Sequence, residues 1–256
     1  MPTDPLQLKN PIVLVHGLGG KSTYGPVEYF YGFPKLLRDA GNEVFVPNLT
    51  PFHTMEFRAR ELKEQIQATI PEGKVNLITH SFGGLDARYL AANFGFTERV
   101  ASVTAIGAPN RGPMIADIAL GLVPDSTFQA MDLLLAPIKN STRAYQQLTS
   151  KFCTETLPLV APQMRDVAYF SATSVIRSPM LRTALPLFWV PNKIIQRYEG
   201  DNDGFVSVHS AKLGEMICTY EGDHYAQIGQ FLGRSRGLDY IKFYSEIVAR
   251  LKREGF

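Results

Sequence analysis

Strand-like and helix-like segments alternate along the first 110 residues, and this alternation constrains the fold more than any other feature. Strand-like segments fall at 11–15, 43–49, 74–78 and 100–109. The first of them, PIVLV, is a continuous apolar run rich in β-branched residues, which is typical of a strand buried on both faces. Helical patterns lie between the strand-like segments, at 34–41, 54–70 and 84–95. Short links between such elements predict a mostly parallel central sheet with right-handed crossovers and helices on both faces.

The clearest helix pattern begins after Thr54, a suitable N-cap residue, and ends before Pro71 and Gly73. Its apolar residues recur at steps of three or four, which places them on one face of a helix. They are Met55, Ala59, Leu62, Ile66 and Ile70. This face is expected to pack on the sheet.

The alternation stops in the middle of the chain. No clear strand occurs between Arg111 and Arg165, so this stretch predicts a helical insertion over the sheet edge. Strands resume at 167–174 and 215–222, and a closing helix covers 238–255. We expect that helix to bury one side, formed by Ile241, Tyr244, Val248 and Leu251. We expect a single domain over 1–256, with 111–165 as the insertion.

The stretch VNLITHSFGG, residues 75–84, carries the clearest chemical signal. A buried strand enters a turn of small residues with Ser81 at its tip, and a helix follows at once, as in a nucleophile elbow. Such a serine takes a strained backbone conformation. Gly83 provides the small neighbour that this turn requires, whereas Thr79 stands where G-x-S-x-G has glycine, and Gly84 compensates in part. The alternative is that Ser81 is a helix N-cap.

A nucleophilic serine needs a base. In this architecture the acid and then the histidine follow the serine along the chain. Two histidines follow Ser81 at a distance, His209 and His224. His224 is favoured because it comes just after a strand. His80 is interpreted as a buried packing residue on the opposite side of its strand from Ser81.

The acid is less clear from the residues alone. Asp201 and Asp203 both lie in the turn YEGDNDGFV and both precede His224. Aspartates also stabilise turns by bonding to the backbone, so the pattern does not choose between them.

Bulk properties exclude several functional classes. The net charge is +2, which provides no strong field for nucleic acid. No apolar run reaches the length of a membrane span. Two cysteines, Cys153 and Cys218, do not form a disulfide framework and are expected to be reduced thiols. The first ten residues contain no apolar core of a secretory signal.

The glycine-rich loop GLGGKST, residues 17–23, raises a nucleotide-binding alternative. A P-loop requires glycine where Val15 stands, and a dinucleotide-binding loop requires glycine where Ser22 stands. Both patterns fail. A loop after the first strand can instead provide one backbone N–H of an oxyanion hole, here that of Leu18, with the second from Phe82 after the nucleophile.

Several stretches together carry a more specific resemblance: NPIVLVHGLGG, KVNLITHSFGG, VASVTAIGAPNRG, NDGFVS and DHYAQIGQ. In order and spacing the chain resembles the bacterial true lipases of the Pseudomonas, Burkholderia and Proteus group, which have the α/β-hydrolase fold. The resemblance implies a catalytic triad of Ser81, Asp203 and His224. It also implies that the insertion is a lid and acyl-binding region, and that the reaction is triacylglycerol hydrolysis through an acyl-enzyme.

The acyl-binding residues are open because the resemblance fades over 113–165. Met114, Ile118, Leu122 and 133–135 could line an acyl groove, and the alternative is ordinary core packing. The main competing function is a carboxylesterase for short, soluble esters. A non-catalytic binding protein is disfavoured because the whole triad is present.

The chain departs from the family at its calcium site. One family ligand, an aspartate just after the triad histidine, is Ala226 here, although a glutamine ligand survives as Gln230. No aspartate occurs between Val167 and Gly200, where another ligand is expected. A hard cation needs several oxygen ligands, so we expect no family calcium site and no cofactor. The family disulfide is also doubtful, because His209 occupies the place of its cysteine.

The expected partner is an ester or lipid substrate, met at a lipid–water interface, and the expected state is a monomer. The resemblance implies secretion, and the lack of a signal in this sequence leaves a cytoplasmic location as the alternative.

Overall fold

A computed structural model describes residues 4–121, 126–127, 129, 131–132, 140–177, 188–234 and 237–256. Its centre is a six-stranded sheet in the order β4-β1-β5-β6-β7-β8, in which every pair is parallel. The strands are β1 Ile12–Val15, β4 Val44–Phe45, β5 Val75–His80, β6 Val100–Ile106, β7 Ala168–Val175 and β8 Glu215–Glu221. A short antiparallel hairpin, β2 Thr23–Tyr24 and β3 Val27–Glu28, follows β1.

The inner strands are buried on both faces, as the continuous apolar run of β1 predicted for that strand. Every residue of β1, β5 and β6 is buried. Parallel pairing aligns Val15 with Thr79 and Thr79 with Ala105, so these three strands end at the same edge of the sheet. The residues that directly follow them, including Ser81, therefore meet at that edge.

Helices cover both faces and the middle region. They are α1 Phe33–Asp39, α2 Met55–Thr69, α3 Gly83–Ala92, α4 Met114–Gly121, α5 Arg143–Gln146, α6 Leu157–Val160, α7 Trp189–Tyr198, α8 Val208–Ala211 and α9 Tyr240–Arg253. Helical turns that are not α-helical are Thr97–Arg99, Phe152–Thr156 and Ala226–Ile228.

Two apolar layers sandwich the sheet. One contains Leu62 of α2 and Leu90 of α3 against Val13 and Leu77. The other contains Leu37 of α1 and Ile247 of α9 against Leu14 and Ile78. Neighbouring residues of each strand enter opposite layers, which is the alternation that a pleated strand imposes. The predicted α/β architecture, with helices on both faces of a parallel sheet, is confirmed.

The predicted faces of two helices can be compared with the structure. In α2 and at its end, all five expected residues are buried, from Met55 to Ile70. In α9 the prediction is wrong for Ile241, which is 36 % exposed, because the buried stripe instead includes Phe243 and Ile247. Tyr244, Val248 and Leu251 are buried as expected.

The described part of 111–165 contains helices and no strand. Leu122 and residues 133–135, which the sequence places in an acyl groove, lie outside the described residues. In the described part of the chain, no helix is both long enough and apolar enough to cross a bilayer. Cys153 and Cys218 are not joined by a disulfide.

Candidate active site

Ser81 occupies the turn between β5 and α3 with the strained backbone expected of a nucleophile elbow. Its φ is 56°, a left-handed conformation that a non-glycine residue rarely adopts. The amide of Ser81 donates to the carbonyl of Ile106 on β6 at 2.9 Å, which fixes the turn to the neighbouring strand. A Cβ on Gly83 would stand 2.7 Å from the Val15 carbonyl oxygen and 2.8 Å from that of His16. Only glycine lets α3 begin so close to β1.

Thr79, the departure from the usual elbow pattern, is accommodated without an unpaired hydroxyl. Its side chain is buried and donates to the Thr104 carbonyl on β6 at 3.2 Å. Gly84 makes room beside it, since a Cβ there would lie 3.4 Å from the threonine hydroxyl and 2.5 Å from the Ala108 Cβ. The compensation expected of Gly84 thus has a direct steric basis.

Asp203 and His224 form a buried, hydrogen-bonded pair. His224 Nδ1 lies 2.7 Å from Asp203 Oδ2, and the His224 amide donates to the Asp203 carbonyl at 2.9 Å. The other carboxylate oxygen accepts from the amides of Phe205 and Val206, and Oδ2 also accepts from Gln227 Nε2 at 2.9 Å. Each oxygen of the Asp203 carboxylate therefore has two hydrogen-bond partners. The carboxylate fixes the proton of His224 on Nδ1 and leaves Nε2 to act as a base.

The two alternatives weighed in the sequence lie elsewhere. Asp201 is exposed and pairs with Arg177 at 2.9 Å. His209 is exposed on α8, and its backbone carbonyl accepts from Arg111. The structure therefore brings Asp203 and His224 together and leaves Asp201 and His209 outside this pair.

His80 connects the serine turn to His224. The His80 ring, one residue before Ser81, lies 3.0 Å from the His224 carbonyl oxygen and 4.5 Å from the His224 ring centre. In the described part of the chain no hydrogen bond joins Ser81 to His224. Such bonds often tighten only when substrate is present.

The loop after β1 lies directly against the serine turn. A Cβ on Gly17 would lie 2.9 Å from the Ser81 Cβ, so the backbone there has no room for a side chain. No hydrogen bond among the described residues uses the amide of Leu18 or that of Phe82. Leu18 and Phe82 also pack in one apolar cluster. Two unused amides beside a serine nucleophile are what an oxyanion hole requires.

Buried polar groups hold this loop in place. Burial lowers the pKa of His16 to about 3, so the ring is neutral. Its Nε2 accepts from the Leu49 amide at 3.0 Å, and Nδ1 donates to the Gly17 carbonyl at 2.9 Å. Arg58, fully buried and paired with Asp86 at 2.8 Å, donates to the His16 carbonyl at 2.9 Å. The loop is thereby positioned before any substrate arrives.

A hydrogen-bonded chain of Gly17, Tyr29, His80 and His224 was not expected from the sequence. The Gly17 amide donates to Tyr29 Oη at 3.1 Å, and Tyr29 Oη lies 2.8 Å from His80 Nδ1. Burial lowers the pKa of His80 well below its ordinary value, so its ring is neutral. Nδ1 then accepts from Tyr29, and Nε2 donates to the His224 carbonyl. His80 is therefore not a simple packing residue, and its only signal in the sequence is a histidine inside a buried strand.

Replacing Tyr29 with phenylalanine tests this chain. The Gly17 amide and His80 Nδ1 would each lose a buried partner, which costs on the order of 1–3 kcal/mol of stability. We expect kcat to fall between about 10- and 100-fold, because the loop and the histidine both shift. Tyr24→Phe is the matched control, since its hydroxyl also bonds this loop, at the Gly19 carbonyl, but from an exposed position. Equal kcat in Tyr29→Phe and Tyr24→Phe would show that these buried hydrogen bonds do not position the loop or the histidine.

The predicted acyl-binding residues are only partly described. Met114 and Ile118 lie on α4, where no residue is fully buried, and Ile118 is 42 % exposed. Exposed apolar side chains there are compatible with a surface that meets a substrate chain, and they do not form part of the main core. Their role stays a prediction.

The residues at the family calcium position do not fit a calcium ion. Ala226 has no side-chain oxygen, and its amide donates to Asp223. The Gln230 amide nitrogen donates to the carbonyls of Glu28 and Tyr29, and its Oε1 accepts from the Leu232 amide at 3.4 Å, so this side chain offers at most one neutral oxygen to a cation. We derive no step through a metal, and the absence of a calcium site stays a prediction.

Comparison with known proteins places this geometry in a family. A model of the α/β-hydrolase fold family matches residues 10–198. The chain is 30 % identical to a triacylglycerol lipase of Pseudomonas fragi, over 98 % of this chain and 99 % of that protein. It is 28 % identical to a triacylglycerol lipase of Burkholderia plantarii, over 96 % of this chain and 86 % of that protein.

Solved structures agree on the fold. The mature Bacillus licheniformis lipase BlEst2 superposes with a TM-score of 0.69 at 21 % identity, covering 94 % of this chain and 92 % of that one. The Staphylococcus hyicus lipase superposes with a TM-score of 0.72 at 16 % identity, covering 99 % and 98 %. The family model and the relative from Pseudomonas fragi each span most of the chain. The chain therefore belongs to the α/β-hydrolase superfamily, in the family that includes bacterial lipases.

Proposed function

We propose that this protein is a triacylglycerol lipase, which hydrolyses the carboxylic ester bonds of acylglycerols through an acyl-enzyme on Ser81. The observation that carries the proposal is the buried Asp203–His224 pair, 2.7 Å apart, at the sheet edge where Ser81 sits on its strained turn. The similarity to proteins named triacylglycerol lipases over nearly the whole chain supports the acylglycerol substrate.

In the proposed reaction Ser81 Oγ attacks the ester carbonyl carbon while His224 Nε2 takes the hydroxyl proton. The amides of Leu18 and Phe82 stabilise the oxyanion, and loss of one such donor typically costs about 3 kcal/mol of the barrier. His224 then returns the proton to the leaving alcohol. A water molecule then attacks the carbonyl carbon of the acyl-enzyme while His224 takes its proton. His224 gives this proton to Ser81 Oγ as the fatty acid leaves. Throughout, Asp203 orients the imidazole and stabilises its positive charge.

We further propose that the enzyme acts as a monomer on substrate aggregated at a lipid–water interface. Large apolar side chains are exposed near the proposed base: Phe205 is 41 % exposed with its ring 5.5 Å from that of His224, and Phe231 and Leu232 are about half exposed. Apolar groups rimming a site can contact an aggregated lipid.

Chain-length dependence separates this function from that of a short-chain carboxylesterase. We expect emulsified trioctanoin to be hydrolysed, and the rate on tributyrin to rise when its concentration exceeds its solubility. The rates are measured by pH-stat titration of the released acid. Turnover limited to dissolved short esters, with simple saturation through the solubility limit, would identify a carboxylesterase instead.

A further inference from the structure

A cavity lies apart from the residues of the proposed triad. It has a volume of about 420 Å³ and lies between α3, the loop after β6, and the segment from Cys153 to Gln163. None of the proposed catalytic or oxyanion residues lines it. Three cationic side chains do, those of Arg88, Arg111 and Lys212, and no aspartate or glutamate is among its described lining residues. Its charge is therefore positive.

Arg88 is the buried member of this cluster. Its side chain donates to Asn110 Oδ1 at 3.2 Å and to the Ala161 carbonyl at 3.1 Å, and the residue is only 5 % exposed. The Nε–H is buried without an acceptor. No carboxylate in the described part of the chain forms an ion pair with Arg88. A buried cation without a counter-ion is costly, so an anion at this position would relieve the cost.

The two other cations, Arg111 and Lys212, form no ion pair with a carboxylate among the described residues. Arg111 uses Nη1 on the carbonyls of His209 and Lys212, both at 2.8 Å. These bonds fix its guanidinium beside the loop that carries Lys212. The Lys212 ammonium has no hydrogen-bond or ion-pair partner among the described residues and is exposed.

The rest of the lining is uncharged and combines apolar residues with Asn110, Thr154 and Gln163. Pro158, Pro162 and Leu213 contribute hydrocarbon surface. Burial raises the pKa of the Cys153 thiol to about 12, so it stays protonated and does not repel an anion. A cavity with three cations and an apolar wall suits a ligand that has both an anionic head and hydrocarbon.

We propose that this cavity binds a small monocarboxylate with a short aliphatic tail. Guanidinium groups match carboxylates in geometry and can hold both oxygens at once, and the prolines and Leu213 provide the surface for the tail. Arg88 lies on α3, the helix that begins directly after the serine turn, so the ligand stabilises the element that positions Ser81. The proposal does not depend on the catalytic assignment.

Butanoate is the probe, with its dissociation constant measured by calorimetry and the melting temperature measured in parallel. Sodium chloride at equal ionic strength is the reference. We expect butanoate to raise the melting temperature and to bind about tenfold more tightly than acetate, because two further CH₂ groups are buried. Equal binding of acetate and butanoate, or equal stabilisation by chloride, would overturn the proposal.

Variants assign the binding to this cavity. Lys212→Gln should weaken butanoate binding about fivefold or more, while the equally exposed Lys74→Gln should bind as the natural protein does. Arg88→Met should abolish butanoate binding. If Arg88→Met does not fold, Lys212→Gln still tests the proposal. If butanoate instead bound at the Ser81 site, Lys212→Gln and the natural protein would bind it with equal affinity. That result would refute the assignment to this cavity. Ser81→Ala should retain butanoate binding even if it loses hydrolysis.

Discussion

Replacing Ser81 with alanine is expected to lower kcat/KM for p-nitrophenyl butanoate by at least about 10⁴-fold, since loss of a nucleophile in a triad removes most of the rate enhancement. The fold should persist. Ser81 is only partly buried, and in the described part of the chain its hydroxyl has no hydrogen-bond partner. Alanine keeps the Cβ, so the cost of the φ of 56° is unchanged. The melting temperature should shift by less than about 2 °C.

A matched serine separates loss of the nucleophile from loss of a hydroxyl in general. Ser22 lies in the same glycine-rich loop as Leu18, and among the described residues its hydroxyl contacts Asn48 in an exposed position. Ser22→Ala should retain its activity on the same ester. Turnover by Ser81→Ala at a rate near that of Ser22→Ala would refute the assignment of the nucleophile.

Glycine at position 81 tests the strained turn itself. A non-glycine residue at positive φ costs about 1–2 kcal/mol, and glycine adopts this conformation freely. We expect Ser81→Gly to be inactive but about 1 kcal/mol more stable than Ser81→Ala, as measured by urea unfolding. A less stable glycine variant would show that the turn stores no strain.

Replacing Asp203 with asparagine is expected to reduce kcat by about 10⁴-fold, the cost of holding a catalytic histidine in the wrong tautomer. The asparagine oxygen would remain with the amides of Phe205 and Val206, which now donate to Oδ1. Its NH₂ group would then face His224 Nδ1, which must become an acceptor. The imidazole proton moves to Nε2, so His224 can no longer accept the proton of Ser81.

Asp201→Asn is the control for this prediction. Asp201 lies two residues away in the same turn, but its carboxylate is exposed, and its ion pair among the described residues is with Arg177. Removing such a surface pair costs less than about 1 kcal/mol, and kcat should not change. Stopped-flow or steady-state assays of Asp201→Asn and Asp203→Asn measure which variant loses more of its kcat. A larger loss in Asp201→Asn than in Asp203→Asn would move the acid to Asp201.

Local sequence signals predicted the fold and most of the edge where the site lies. The alternation of strand-like and helix-like segments predicted the parallel sheet. The apolar run of β1 predicted a strand covered on both faces, and all four of its residues are buried. The order of small residues around Ser81 predicted its turn, since that backbone path leaves no room for a Cβ at Gly83 or at Gly84. These features depend on residues close together in the chain.

Pairings between distant residues could not be predicted in this way. Asp201 and Asp203 have the same turn chemistry, and the difference between them is that one faces His224, 21 residues on, while the other faces solvent. Tyr29 and His80 meet across 51 residues. The spacing of Ile241 suited the buried side of α9, but the rotation of the helix on the sheet exposes it.

The sequence by itself therefore determined the layers, the serine turn and the order of the candidate residues, because periodicity, glycine and strand length act locally. The residues alone left Asp201 and Asp203 open and the family resemblance implied Asp203, which the tertiary structure places against His224. The tertiary structure alone decided that Gly17, Tyr29 and His80 form one hydrogen-bonded chain beneath the site, and that Arg88, Arg111 and Lys212 share a cavity. The physical reason is that strand order and helix packing bring together side chains far apart in sequence, and their hydrogen bonds and charges depend on burial that no local pattern encodes.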